Sequence, residues 1–345
     1  MNIIRLLVVT GAFVFLAFLG FFTINAAACI RAPLPPALDA LASDSAVAFS
    51  TVTVDSWDGS TPAPADDNIY YAFEPKKTVA TVGFIILPGG NCDPRSYAPA
   101  AHAIAAQGFF TCIIPMPNCV AAAGYLRADR IISDNGKIKK WTIGGHSVGG
   151  IAAAIYAKQS SIISGVIIWA CYVDEANRLD NTALKVLSVT GSLDGRATPE
   201  TVNENAKYLP EDTVFVVIEG GNHTQFGWID PSPYPYPYLE LDNPATITIE
   251  EQQNQIVQAT SDFLKQFKES ICPVVYLLGK EDPRVGTVRK VRDELLAKSS
   301  AGRGIIELYK RYGATTIGIF EESPGIKCAA RKVLGAIIPV IELLL

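Results

Sequence analysis

Short apolar runs and longer amphipathic segments follow each other through most of the chain. The runs TVATVGFIILP (78–88) and FFTCIIPM (109–116) are uninterrupted, which is typical of strands buried on both faces of a sheet. Between them, PRSYAPAAHAIAAQG (94–108) carries apolar residues at helical spacing and ends at a glycine. This alternation predicts an α/β fold with a mostly parallel central sheet that helices cover on both faces.

The same pattern continues on either side of this region. We expect further strands at 47–55, 68–75, 138–145, 164–170, 183–191 and 213–221. We expect further helices at 119–136, 147–159, 199–209 and 248–267. The composition changes after residue 269, and the helical spacing of residues 284–345 predicts a C-terminal helical extension.

The chain therefore divides into four predicted segments. Residues 1–28 are expected to be a signal peptide or an N-terminal membrane anchor, and residues 29–45 a linker rich in proline and alanine. The α/β domain spans residues 46–269 and the helical C-terminal module spans residues 270–345. The last boundary lies where the strand–helix alternation stops.

The N-terminal segment predicts export. Residues 6–24 are uncharged and apolar, and their length is close to that of a membrane span. The small residues 26–28 offer a cleavage site, and Cys29 directly after them offers a position for lipidation. We expect an exported or membrane-anchored, extracytoplasmic protein of the cell envelope. The competing interpretation of residues 6–24 is a buried core helix.

Composition and charge exclude several classes of function. The 345 residues carry a net charge of -5 and no basic run, so nucleic acid is not expected as a partner. Hydrophobic residues make up 49% and charged residues 18%, which is typical of a globular protein with a sizeable core. The cysteines show neither a CxxC pair nor a Cys/His cluster, so we expect no structural zinc, and the chemistry predicted below requires no metal or organic cofactor. Their disulfide pairing stays open.

The segment GGHSVGG (144–150) carries the pattern G-x-S-x-G around Ser147. It follows a predicted strand and opens a predicted helix, which is the context of a nucleophile elbow. Glycines are needed there because the sharp turn strains the backbone and crowds its neighbours. We therefore expect Ser147 to be a catalytic nucleophile.

A serine hydroxyl needs a base to take its proton, and three histidines are available. His102 lies within a predicted helix. His146 precedes the serine, so its side chain is expected to point away from the reacting face. His223 follows the last strand of the alternating region, where loops line the cleft of an open α/β sheet. His223 is therefore the predicted base.

The base in turn needs a carboxylate that fixes its tautomer. Asp194 follows the strand that precedes the His223 strand and completes the chain order serine, aspartate, histidine. Asp194 is the predicted acid, and Asp174, which follows the strand at 164–170, is its competitor.

Backbone N–H groups are the predicted donors to the oxyanion of a tetrahedral intermediate. The segment LPGGN (87–91) ends a predicted strand, and its two glycines let the backbone approach a ligand closely. We expect the oxyanion hole to combine the N–H of Val148 with one N–H from Gly90 or Asn91.

Four motifs in this order resemble the α/β-hydrolase superfamily, and more narrowly its compact, dienelactone-hydrolase-like bacterial branch. They are ILPGGNCDPRSYAP, IGGHSVGG, GSLDG and EGGNHTQFG, and the similarity covers roughly residues 68–267. The resemblance implies an α/β-hydrolase fold and a Ser-His-Asp hydrolase with Ser147, Asp194 and His223 as its triad. Residues 272–320 resemble a helical module named for a Cys-Phe-Ile box, although Pro273-Val274 depart from that box.

These predictions converge on a serine hydrolase that cleaves a carboxylic ester or a related acyl compound through an acyl-enzyme. The expected partner is a small-molecule acyl substrate, and the Tyr- and Pro-rich loop 226–244 is a candidate wall of its pocket. Three alternatives stay open: an acyltransferase with the same triad, a peptidase with the same triad, and a non-catalytic scaffold of the cell envelope.

Overall fold

The computed structural model describes residues 31–59, 68–231, 242–268, 272–279 and 281–342. The chain divides into two compact units, Met1–Phe267 and Lys268–Leu345. The expected membrane-length run at 6–24 and the expected lipidation position Cys29 lie outside the described residues.

Eight strands of the described chain form one sheet in the first unit. They are β1 Val47–Thr53, β2 Ile69–Pro75, β3 Val82–Leu87, β4 Phe110–Ile113, β5 Lys140–His146, β6 Ile163–Trp169, β7 Lys185–Gly191 and β8 Val214–Ile218. Their order across the sheet is β1-β2-β4-β3-β5-β6-β7-β8. Strand β2 is antiparallel to β1 and to β4, and all other neighbours are parallel. Every predicted strand is present, and the carboxyl ends of the parallel strands lie along one edge of the sheet.

Helices cover both faces of this sheet. In the first unit they are α1 Pro35–Asp39, α2 Ala98–Ala106, α3 Ala128–Asp134, α4 Val148–Gln159, α5 Pro199–Asn205 and α6 Ile249–Lys265. Side chains of β3 alternate between two buried clusters because successive residues of a strand face opposite sides. Ile85 and Leu87 belong to the cluster with α3 and α4, whereas Phe84 and Ile86 belong to the cluster with α2 and α6. This two-sided core confirms the predicted fold class.

One predicted helix is much shorter than expected. The segment 119–136 has helical spacing, but only its part Ala128–Asp134 is α-helical, and short 3₁₀ turns precede it. Asn118 and Cys119 have positive φ angles of 52° and 56°, a conformation that interrupts a right-handed helix. The prediction of one continuous helix there was wrong.

The second unit is helical, as predicted. Its described elements are α7 Pro273–Leu278, α8 Pro283–Lys290, a π-helical turn Val291–Leu296, α9 Ser300–Glu322 and α10 Pro324–Glu342. Across the described ranges, no helix combines the length and the apolar character that crossing a bilayer requires.

Candidate active site

Ser147 lies at a sharp turn between β5 and α4. Its φ and ψ angles are 54° and -127°, a conformation that residues other than glycine rarely adopt and that costs free energy. The N–H of Ser147 donates to the carbonyl of Trp169 on the neighbouring strand β6 at 2.9 Å. The turn therefore has the strained geometry that the sequence motif predicts, and Ser147 is half-buried at the edge of the sheet.

Two glycines of the motif are required by close packing against the end of β3. A Cβ atom on Gly145 would lie 2.3 Å from the carbonyl oxygen of Leu87, and a Cβ atom on Gly149 would lie 2.2 Å from the same oxygen. Both distances are far below van der Waals contact. Glycine at these positions therefore lets the segment after β3 lie directly beside the serine turn.

Asp194 and His223 form a buried hydrogen-bonded pair. Nδ1 of His223 lies 3.0 Å from Oδ2 and 3.1 Å from Oδ1 of Asp194, and both side chains are almost completely buried. Oδ1 of Asp194 also accepts the backbone N–H groups of Arg196 and Ala197, each at 2.8 Å. These donors orient the carboxylate. The two residues follow β7 and β8, at the same edge of the sheet as Ser147.

The other predicted candidates for base and acid lie elsewhere. Asp174 is exposed, and its Oδ1 accepts hydrogen bonds from the backbone and the side chain of Asn177. His102 lies on α2, with Nε2 at 3.8 Å from Oδ2 of Asp44. Of the candidate acids, Asp194 is therefore the one hydrogen-bonded to His223.

His146 was expected to point away from the site, and this prediction was wrong. Its ring lies 4.6 Å from the ring of His223, centroid to centroid, and stacks on Phe226 at 5.9 Å. His146 ends β5 on the face that carries α2 and α6, and the turn after His223 packs against that face. The pKa of His146 is lowered well below its ordinary value, and burial of the ring is the largest cause.

Tyr97 connects His146 to the segment after β3. The Tyr97 hydroxyl lies 2.8 Å from Nδ1 of His146 and accepts the N–H of Gly89 at 2.9 Å. The hydroxyl therefore bridges the backbone of Gly89 and the ring of His146. This buried chain joins the predicted oxyanion segment to the ring behind His223.

The predicted oxyanion donors differ in availability. The N–H of Asn91 donates to the carbonyl of Cys119 at 3.0 Å, so it is already engaged. The N–H groups of Gly90 and Val148 have no backbone or side-chain acceptor among the described residues. A Cβ atom on Gly90 would lie 3.2 Å from Cγ2 of Val148, which shows that these two residues are neighbours. The pair Gly90 and Val148 is therefore the better candidate.

Asp242 joins the loops that carry the buried pair, a role that sequence reasoning missed. Its Oδ1 accepts the N–H of Gly195 at 3.1 Å, and its Oδ2 accepts the N–H of Thr224 at 2.6 Å. Gly195 directly follows Asp194, and Thr224 directly follows His223. One carboxylate thus sets the spacing of both loops. It carries no motif in the sequence that could have identified it.

Two buried glutamines of α6 hold the backbone of the same loop. Gln252 is fully buried, accepts the N–H of Asn222 at 3.0 Å and donates to the carbonyl of Asn222 at 2.8 Å. Gln253 donates to the carbonyl of Gln225 at 2.6 Å. The backbone is therefore fixed on both sides of His223. The one signal in the sequence for this support of the His223 loop is the presence of polar residues on the buried face of α6.

Comparison with known proteins agrees with this architecture. A model described as an alpha/beta hydrolase family matches residues 83–254, a range that contains Ser147, Asp194 and His223 and excludes the second unit. Comparison with curated proteins gives no match. The family match and the sheet together assign the predicted α/β-hydrolase fold.

Several solved structures are similar to the chain. The esterase domain of a Rhodothermus marinus protein aligns with a TM-score of 0.48 and 11% identity, over 64% of this chain and 99% of that chain. A truncated carbohydrate esterase from gut microbiota aligns with a TM-score of 0.48 and 13% identity, over 65% and 98%. A thermophilic esterase from Thermogutta terrifontis aligns with a TM-score of 0.44 and 13% identity, over 64% and 92%.

Proposed function

We propose that this chain, an enzyme of the α/β-hydrolase superfamily, is a serine hydrolase that cleaves carboxylic esters through a Ser-His-Asp triad. Ser147 is the proposed nucleophile, His223 the general base and Asp194 the carboxylate that orients it. The observation that carries the proposal is a strained serine turn at the same sheet edge as a buried, hydrogen-bonded Asp–His pair.

The proposed reaction begins with attack of the Ser147 Oγ on the ester carbonyl carbon, while Nε2 of His223 takes the hydroxyl proton. Because Nδ1 of His223 faces the Asp194 carboxylate, the proton of the neutral ring is held on Nδ1 and Nε2 keeps its lone pair. The same carboxylate stabilises the imidazolium that forms. His223 then gives the proton to the departing alcohol, and water repeats the sequence to release the acid.

The negative charge on the carbonyl oxygen is assigned to the N–H groups of Gly90 and Val148. Such a donor is worth about 3 kcal/mol of transition-state stabilisation in serine hydrolases. Val148 also begins α4, so the partial positive charge of the helix start acts on the same oxygen. No step of this mechanism calls for a metal or an organic cofactor.

Labelling with a fluorophosphonate probe and ester hydrolysis test this proposal together. The wild type is expected to be labelled at Ser147 and to hydrolyse p-nitrophenyl acetate. Ser147→Ala is expected to lose labelling and to lower kcat by about three orders of magnitude or more. Ser300→Ala removes an exposed hydroxyl of the second unit and is the matched control. Folded wild type that is neither labelled nor active would refute the proposal and favour a scaffold.

Substrate panels separate the alternatives that share the triad. Esters are expected to react faster than the matching p-nitroanilide amides, because the alcohol is the better leaving group. Preference for the amide would favour a peptidase instead. Addition of an acceptor alcohol is expected to leave the free acid as the main product. A transferred ester as the main product would favour an acyltransferase.

We also propose that the protein is exported or membrane-anchored outside the cytoplasm. The apolar run 6–24 supports this, and so does the disulfide that Cys119 forms, since disulfides persist in oxidising compartments. The free cysteines among the described residues are Cys92, Cys112, Cys171, Cys272 and Cys328. Fractionation of cells that produce the full chain tests this. Recovery in the cytoplasmic fraction with residues 1–28 intact would contradict it.

The finer family assignment is likewise a proposal. The four motifs support a place in the compact, dienelactone-hydrolase-like branch, and the helical elements after Cys272 are compatible with a Cys-Phe-Ile-box module. An ester panel that varies the acyl chain and the leaving group would show whether substrate preference follows that branch.

A further inference from the structure

A cavity of about 290 Å³ lies among the helices of the second unit, and all of its lining residues belong to that unit. We call it the helical cavity. Val274 and Val285 are buried in its wall, and Val288, Leu296 and Ile306 complete an apolar lining. The helical cavity is partly open to solvent, so a small molecule could enter it from the surface of the unit. The volume of the cavity lies just below the range of about 300–1,000 Å³ that is typical of ligand pockets, so it suits a small ligand.

One hydroxyl group in the lining of the helical cavity is held in place by polar contacts. The hydroxyl of Tyr309 accepts the N–H of Val274 at 3.2 Å and lies 3.0 Å from Sγ of Cys272. All three residues line the cavity. The π-helical turn Val291–Leu296 also contributes to the wall, and such turns occur frequently at functional sites.

The charge of the lining is positive. Arg289 and Arg292 line the helical cavity, and none of its described lining residues is acidic. Arg292 is paired with exposed Asp293 at 2.7 Å. Arg289 is exposed and has no ion pair within the described ranges. The guanidinium of Arg289 is therefore available to an anionic group at the cavity.

We propose that the helical cavity binds the carboxylate form of a medium-chain fatty acid. The apolar lining accommodates the hydrocarbon chain, and Arg289 binds the carboxylate, for which the planar guanidinium has matching donors. The guanidinium of Arg289 in the lining favours an anion over a neutral lipid. The proposal concerns residues of the second unit alone and does not depend on the hydrolase function.

Alkylation of Cys272 in the full-length protein reports on the helical cavity directly. N-ethylmaleimide is added with and without decanoate below its critical micelle concentration, and mass spectrometry follows each cysteine peptide. Cys328 is an exposed free thiol outside the cavity lining and is the internal control.

Decanoate is expected to slow the alkylation of Cys272 about tenfold at saturation and to leave Cys328 unchanged, whereas decanol protects much less because it lacks the charge. Arg289→Gln is expected to raise the decanoate concentration for half-protection about tenfold. Lys332→Gln, which removes an exposed charge outside the lining, leaves it unchanged. The proposal would be overturned if decanoate gave no protection of Cys272, or if decanol protected it equally well. It would also be overturned if Arg289→Gln left the decanoate concentration for half-protection unchanged.

Discussion

Replacing Asp242 by asparagine tests how far the candidate site depends on one carboxylate that sequence motifs do not identify. Both of its oxygens accept backbone N–H groups, one from Gly195 and one from Thr224. Asp242→Asn keeps the shape of the side chain but replaces one acceptor with an NH2 group that faces a donor. One charge-assisted hydrogen bond is lost, which costs about 1.5–3 kcal/mol.

The proposed catalytic consequence follows from where that free energy acts. The lost bond ties the loop of Asp194 to the loop of His223, so its loss loosens the alignment of the proposed acid and base. If all of this free energy is lost from the stabilisation of the transition state, kcat falls about ten- to a hundredfold, since 1.4 kcal/mol corresponds to a tenfold change in rate. KM is expected to change little, because neither loop bond is made to the substrate. Steady-state hydrolysis of p-nitrophenyl acetate measures both constants.

A surface aspartate provides the control for this experiment. Asp180 pairs with Arg178 at 2.6 Å on a partly exposed surface, and Asp180→Asn is expected to change kcat by less than about twofold, since such pairs contribute little. Thermal unfolding of both variants separates folding from catalysis. If Asp242→Asn lowers the melting temperature while kcat stays within the range of the control, the carboxylate only stabilises the fold and the positioning argument fails.

Three further substitutions probe the same network. Gln252→Ala leaves buried backbone groups unsatisfied and is expected to lower the free energy of unfolding by about 2–5 kcal/mol in denaturant titrations, against less than about 0.5 kcal/mol for exposed Gln258→Ala. His146→Asn tests the lowered pKa of His146. The stability that the neutral buried ring contributes to the wild type is fully present above pH 6.5, the ordinary pKa of histidine, and is lost at lower pH because the unfolded chain then gains a proton. Denaturation at several pH values should therefore show that the acid limb of the plot of unfolding free energy against pH is flatter for the variant. An equally steep limb would contradict this. Gly89→Ala places a Cβ atom 2.7 Å from the His146 Nδ1 and 2.9 Å from the Tyr97 hydroxyl, so these two side chains must shift. In ester hydrolysis, kcat should then fall by a larger factor than KM rises.

The strands and the three proposed triad residues were accessible from the sequence because their signals are local. An uninterrupted apolar run predicts a buried strand, and parallel strands bring their carboxyl ends to one edge. The sequence alone therefore predicts that the residues following those ends, Ser147, Asp194 and His223, lie near each other. The hydrogen bond between Asp194 and His223 agrees with that expectation for these two residues.

The supporting contacts were not accessible, because they join residues that are distant along the chain and share no motif. Tyr97 precedes His146 by 49 residues, and nothing in either segment indicates their hydrogen bond. The shortened helix before Ala128 has a different cause. The positive φ angles at Asn118 and Cys119 depend on the surrounding structure, whereas the helical pattern in the sequence depends only on the spacing of apolar residues.

The structure also explains how a second histidine is compatible with the proposed base. The rings of His146 and His223 are 4.6 Å apart, and two positive charges at about that distance repel by roughly 3–4 kcal/mol at an effective dielectric constant near 20. That repulsion would cancel the gain from an oxyanion donor of about 3 kcal/mol. Burial lowers the pKa of His146, so its ring stays neutral during the proposed formation of an imidazolium at His223. A neutral ring held by Tyr97 packs against the proposed base without opposing its charge, and a permanently charged side chain at position 146 would abolish that advantage.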